Sequence, residues 1–403
     1  MTVLPKLPHP LRCVAVAAAV LGLLAGCESG GSEDRNQAAE RYMKARSTMA
    51  LQLAERQFDS QDLDSAEKTL NDALKVNAKD GRVYLMLGRI ALERGQLERA
   101  FRHFELSIEL DEQLHGAHYF KGVIHQRWQQ YDKALASYNR AFELWRDKPT
   151  YLLAIAEMLI ELDRADEALK LLESKLVYFD QNAGIRLAIG QVHLLRDDPA
   201  SALRYYQQAA LLSPEDKRLR EELAHVQVRA GETAAAARGL ESLMLDESYA
   251  ERSDLRLLLA DCLLKLNRPA EATKLLTELT QREPALLDSW LKLGEAAWAA
   301  GDSATALRAT GKARQLAPDR ADGYLLAGII WSKQGDVDEA VRMFDAAAQL
   351  APQDHLPMLL RGVALEQVGR PSAAEEAYRE ALRRKPDDER TRRLLAGVMA
   401  RKP

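Results

Sequence analysis

Residues 287–320 read LDSWLKLGEAAWAAGDSATALRATGKARQLAPDR, and this stretch decides the fold. Trp290, Leu293, Gly294 and Ala297 recur at helical spacing, Gly301 interrupts them, Ala306 restarts the pattern and Pro318 ends it. That order describes a helix, a turn, a second helix and a break. Ala306 is one rung of a ladder made by Ala66, Ala100, Ala134, Ala168, Ala202, Ala236, Ala272, Ala306, Ala340 and Ala374. Successive rungs lie 34 residues apart, except for one interval of 36 between Ala236 and Ala272. A fixed period in the thirties copies one supersecondary unit along the chain, which argues for a solenoid over a compact domain.

The ladder carries its neighbours with it. A small residue lies twelve before each rung, as at Ala54, Gly88, Gly122, Ala156, Gly190, Ala224, Ala260, Gly294, Gly328 and Gly362. Five before the rung a turn glycine recurs at Gly95, Gly231, Gly301, Gly335 and Gly369. Four after it come bulky side chains such as Phe104, Tyr138, Tyr206, Phe344 and Tyr378, and twelve after it Pro214, Pro284, Pro318, Pro352 and Pro386 break the chain. Small residues let two backbones approach, and the large ones fill the space beside them. Lys175, Leu243 and Leu279 stand where a small residue is expected seven after the rung, so copies four, six and seven are expected to pack less tightly. The irregular interval predicts a kink or wider loop near Asp246–Asp254.

This pattern resembles the tetratricopeptide repeat family over roughly residues 47–388. The resemblance implies an all-α, right-handed superhelical solenoid of ten helix-turn-helix repeats. A closing helix over 389–403, which Asp387 or Asp388 can cap, presents Arg390, Arg392, Arg393 and Arg401 as a polar end face.

Residues 1–26 read differently. Lys6 and Arg12 precede an apolar run from Cys13 to Gly26 that is shorter than the ~20 residues a membrane-spanning helix needs. It ends in Leu24-Ala25-Gly26-Cys27, which resembles the bacterial lipoprotein box, in which the cysteine is lipidated and becomes the mature N-terminus. An uncleaved anchor is the alternative. Glu28 follows in place of the aspartate of an inner-membrane retention signal, and by resemblance this favours the periplasmic face of the outer membrane. Residues 27–46 then read as a tether and helix lead-in, with helix expected to begin near Asn36–Glu40.

No catalytic constellation is present: the sequence holds no phosphate-binding glycine loop, no H-E-x-x-H and no C-x-x-C. The expectation is a non-enzyme without cofactor, metal or small-molecule substrate. A net charge of −4 argues against nucleic acid, whose phosphates need a basic face. His115, His118 and His125 are spaced to share a helical face, but they occupy core positions of the repeat and read as packing residues. Cys262, beside Ala260, reads as a buried filler.

What remains is the face lined by the first helices, where the family seats its partners. Fifteen before the rung the residue is leucine in most copies, including Leu51, Leu85, Leu153, Leu187, Leu257, Leu291, Leu325 and Leu359. Eleven before it the residue varies, from Glu55, Arg89 and Val123 to Asp261 and Glu295. An apolar seam with variable flanks suits a docked helix or extended peptide. Arg82, Arg89 and Arg127 make its early part basic, whereas Asp254, Asp261, Asp288, Glu295 and Asp322 make its later part acidic. Phe58, Tyr119 and Trp298 are candidate aromatic anchors. Leu257, Asp261, Leu291, Glu295, Trp298 and Leu325 form the candidate partner site, and envelope proteins are the expected partners of a scaffold serving pilus assembly, polysaccharide export or a cell-wall enzyme complex. The alternative is self-association through the ends of the array.

Overall fold

The computed structural model describes residues 33–401, with side chains from Asn36 onward. Among the described residues there are 22 α-helices and no strand, an all-α repeat fold. The opening elements are α1 (Glu33–Asp59), α2 (Leu63–Val76) and α3 (Gly81–Glu93). Later repeats follow the same alternation, as in Leu287–Ala299 followed by Ser303–Leu316, and Asp322–Gln334 followed by Val337–Leu350. The chain forms two compact units that part between Val192 and His193. Within each unit a first helix packs on its own second helix, as α1 does on α2 and Leu287–Ala299 on Ser303–Leu316, and on the second helix of the repeat before it, as α3 does on α2 and Leu287–Ala299 on Pro269–Arg282. First helices also touch the next first helix, α1 on α3 in the first unit and Ser253–Lys265 on Leu287–Ala299 in the second, so in each unit they line one face.

The turn between the two helices is set by one residue with positive φ, five before the rung. Gly95, Gly231, Gly301, Gly335 and Gly369 have φ between 71° and 90°. The same position in the other five repeats holds Gln61, Gln129, Asp163, Asp197 and Asn267, also with positive φ. A left-handed residue costs a non-glycine side chain roughly 1–2 kcal/mol, so glycine suits the position without being required. The glycine signal therefore finds half of the turns, and the period finds the rest.

The core of each repeat is a size exchange between two positions. A Cβ added at Gly88 would lie 2.4 Å from Phe104, at Gly122 2.6 Å from Tyr138, at Gly328 2.6 Å from Phe344 and at Gly362 2.4 Å from Tyr378. Those four rings are buried to within 1% exposure. Where alanine replaces the glycine, leucine replaces the ring: Ala54 goes with Leu70, Ala156 with Leu172, Ala224 with Leu240 and Ala260 with Leu276, and all eight are buried. Gly294 departs from the rule, since its partner is Thr310 and the remaining space is filled by Leu326 from the following first helix, 2.9 Å from an added Cβ.

Other expectations are revised. Leu243 and Leu279 are each 1% exposed, so repeats six and seven seal a leucine where six repeats seal alanine and repeat two seals Ser107, and they are not loosely packed. In repeat four the second helix stops at Lys175 and a short 3₁₀ turn, Leu176–Phe179, follows it. The two extra residues after Ala236 are accommodated by a four-residue helix, Glu247–Ala250, capped by Asp246 and packed through Tyr249 onto the core. At the start, α1 begins at Glu33, so residues 33–40 are helical and not part of a tether, as their helix formers Ala38, Ala39 and Glu40 favour. Asp388 caps the closing helix Glu389–Ala400 by accepting a hydrogen bond from the Thr391 backbone N–H at 2.8 Å.

Gly239 and Gly311 lie inside second helices, but neither allows a close approach. The nearest atoms to an added Cβ are 3.8 Å away at Gly239, and none lies within 4 Å at Gly311. Gly311→Ala is therefore expected to raise stability by about 1 kcal/mol, the difference in helix propensity. A lowered midpoint in urea unfolding would contradict this.

The first-helix face as a candidate binding surface

In the first unit the leucine seam is half-buried at Leu51, Leu85, Leu153 and Leu187, with Tyr119 in the same register. A cavity of about 210 Å³ opens on it between α1 and α3, lined by Leu51, Glu55, Arg82, Leu85, Met86 and Arg89. The Arg89 guanidinium stands 4.8 Å from the centre of the Phe58 ring and 5.8 Å from that of Phe120. Arg82 is held by Asp80 at 2.7 Å. Of the basic stretch expected here, Arg89 thus lies against aromatic rings, with Glu55 4.0 Å away, while Arg82 is paired to a carboxylate. The sequence singled out the residues, but not the cavity, because a dent between neighbouring helices depends on the rotamers of both. A second cavity of about 240 Å³, lined by Phe142, Arg146, Asp147, Lys175, Tyr178 and Phe179, accompanies the 3₁₀ turn of repeat four.

Each histidine of the cluster has its own partner. His115 Nδ1 lies 2.6 Å from the Tyr151 hydroxyl, His118 Nε2 lies 3.0 Å from the Glu112 carbonyl, and His125 Nδ1 lies 3.0 Å from Gln130 Oε1. His125 also meets the edges of Phe101 and Trp128. Among the described residues no group of three or more His, Cys, Asp or Glu could hold a metal ion. Cys262 is buried, and burial pushes its thiol pKa up.

In the second unit, Leu257, Leu291 and Leu325 are half-buried on successive first helices, whereas Leu359 is 2% exposed and belongs to the interior. Leu257 leans on the core around Leu259 and Leu276, and Leu325 on the core around Phe344. Trp298 packs beside Ala297, Ala306 and Ile330 and keeps part of its surface open. Asp261 forms an ion pair with Lys292. Asp254 pairs with Arg252 at 2.6 Å and Asp322 with Arg320 at 2.7 Å, so internal cations offset part of the acidic stretch.

Glu295 is open to solvent, yet the protein around it raises its carboxyl pKa, first through desolvation and further through Asp261, against an opposing pull from Lys292. A carboxyl raised in the folded state favours folding while protonated, and that contribution is lost as pH climbs from the ordinary carboxylate value through the raised one. Glu295→Gln is expected to be more stable than the parent at pH 7 and to lose that advantage below the ordinary carboxylate value. Equal unfolding midpoints at both pH values would contradict it.

The period, the left-handed turn and the sealed exchange between the positions twelve before and four after the rung define each unit. A tetratricopeptide repeat family model matches residues 51–114, 121–183, 291–355, 325–389 and 359–402, together more than half of the chain. The chain belongs to the tetratricopeptide repeat family. Members of this family act as protein–protein interaction scaffolds, and this chain is one by that membership. Anaphase-promoting complex subunit 3 of Schizosaccharomyces pombe is 24% identical over 147 residues, which is 36% of this chain and 22% of that protein. The chain thus matches about a fifth of the length of that curated relative. Yeast Tom70 is similar at 13% identity, covering 89% of this chain and 88% of that one with a TM-score of 0.41. The C-terminal part of a tetratricopeptide repeat protein from Cytophaga hutchinsonii is similar at 12% identity, covering 60% and 99% with a TM-score of 0.48. In each unit of this tetratricopeptide array the first-helix face combines a half-buried apolar seam with charged flanks.

Proposed function

We propose that this chain is a lipid-anchored scaffold of a bacterial cell envelope, held through Cys27 at the periplasmic face of the outer membrane. There it seats segments of other envelope proteins along its first-helix face and supports assembly of a pilus, a polysaccharide export system or a cell-wall enzyme complex. The observation that carries the binding reading is the seam itself, in which Leu257, Leu291 and Leu325 stay half-buried in register while Trp298 lies beside them. Sealing such side chains under a partner segment removes apolar surface from water at about 25 cal/mol per Å². Asp261 and Glu295 favour a partner segment carrying Lys or Arg.

The anchor reading rests on the sequence around Cys27, which lies outside the described residues. One acyl chain binds a membrane only marginally, whereas the two or three of a lipidated cysteine hold firmly. Cys27→Ser is therefore expected to move the protein from the membrane to the soluble fraction. Retention on the membrane would leave an uncleaved anchor as the explanation.

The binding test is a cross-linked capture of envelope proteins by the parent and by a Leu257→Glu, Leu291→Glu, Leu325→Glu variant. The expected result is a partner captured by the parent and lost by the variant at equal helicity. Because Leu257 and Leu325 also touch the core, Asp261→Lys with Glu295→Lys serves as a second variant and should weaken a basic partner. Capture of the same proteins by all three would remove the face as the binding surface.

A further inference from the structure

The face of α1 that points away from α3 lacks the cover that every later first helix has. Seventeen before the rung, Val83, Ala117, Ile185, Leu255 and Ser289 are 0% exposed. Leu255 shows why, since it is sealed in a cluster with Ala236 and Leu240 of the preceding second helix. Met49 holds the same position in repeat one and is 71% exposed. Thirteen before the rung, Leu87, Ile155, Leu259 and Leu293 are sealed, yet Leu53 is 49% exposed. Residues 33–46 fill part of the register of a preceding second helix, but they are the first part of α1 itself and do not fold back over the rest of it.

The uncovered residues form one stripe. At about 100° per residue, Tyr42, Ala45, Met49, Leu53 and Arg56 all fall within roughly 40° of the direction of Met49. All five are exposed. We propose that a second copy of this chain covers the stripe, with the two α1 helices crossing antiparallel about a two-fold axis at Met49.

The composition of the stripe is complementary to itself under that operation, as an isologous contact requires. Centring the pair on Met49 sets Ala45 against Leu53 of the other copy, small against large. It sets the Tyr42 ring against the Arg56 guanidinium, an attractive pairing, and Arg46 against Gln52, so that no like charges face each other. A parallel pairing would instead stack Arg46 on Arg46 and Arg56 on Arg56. One helix face is smaller than the ~1,200 Å² of total buried surface that stable complexes start from, so the contact should be reversible. Confinement of two chains to one membrane would raise its occupancy. This proposal is independent of groove binding, because Met49 and Leu53 lie outside the seam that Leu51 marks.

Sedimentation of the full-length chain in mild detergent tests it. The parent is expected to show a concentration-dependent dimer, and Leu53→Glu, which changes a residue exposed in the monomer, should weaken dimerisation at least ten-fold with helicity unchanged. In a Cys13→Ser, Cys27→Ser background, Met49→Cys should form a disulfide-linked dimer on mild oxidation, whereas Leu211→Cys, an equally exposed control, should not. A parent that stays monomeric throughout, or a dimer indifferent to Leu53→Glu, overturns the proposal. A monomer whose Met49→Cys thiol resists alkylation would overturn it in favour of cover by the chain's own residues before 33. A monomer with a freely reactive thiol would overturn it in favour of a foreign partner.

Discussion

Gly88→Ala is expected to lower stability by about 3 kcal/mol, although the same exchange inside an exposed helix raises it. The added Cβ would lie 2.4 Å from Phe104 Cε1, and Phe104 is fully buried with no room to turn aside. Either the ring leaves its rotamer or α3 shifts away from the second helix, and both lose packing. The pairing of sizes across repeats supplies the rescue. Gly88→Ala with Phe104→Leu recreates the combination found at Ala54 and Leu70 and should recover most of the loss, a coupling of about 2 kcal/mol in a double-mutant cycle. Phe104→Leu alone should also destabilise, because it opens a cavity under Gly88. Additive effects of the two changes would show that the positions are not coupled. Local hydrogen exchange is the better readout, since a repeat array with two units need not unfold in a single transition.

Leu279→Ala is expected to cost about 3 kcal/mol, within the range of buried leucine truncations. This outcome runs against the family pattern, in which a small residue belongs seven after the rung, as at Ala141, Ala209 and Ala347. Judged by the pattern alone, the substitution repairs a defect and should stabilise. In the structure Leu279 is 1% exposed and part of a cluster with Ala260, Leu276, Leu293 and Ala296. That cluster leaves room for the larger side chain, so alanine would leave a void. Denaturant unfolding at matched temperature separates the two views: a gain in stability would mean that repeat seven is strained by Leu279 after all.

The ion pairs that tie successive repeats together are weaker levers. Arg370 reaches Asp338 at 2.7 Å and Arg282 reaches Glu251 at 2.9 Å, but all four side chains are well exposed, where such pairs contribute about 0–1 kcal/mol. Stability resides in the sealed exchanges between small and large residues.

The repeat period, the helical content, the closing helix and the first-helix seam could all be read from the sequence. A solenoid repeats the same local contacts in every copy, so ten weak signals in phase add up to one strong one, and the Ala66-to-Ala374 ladder carries them. Residues whose meaning depends on a neighbour outside their own copy were not legible. Leu243 and Leu279 looked too large, and Leu359 looked like part of an open seam, until the packing around each was known. The dent at Arg89 and the bare stripe on α1 were hidden for the same reason. Sequence alone determined the unit and the number of its copies, because those follow from the spacing of side chains along one chain. Only the tertiary structure decided which surfaces stay uncovered, because burial depends on what the adjoining helix brings to the contact.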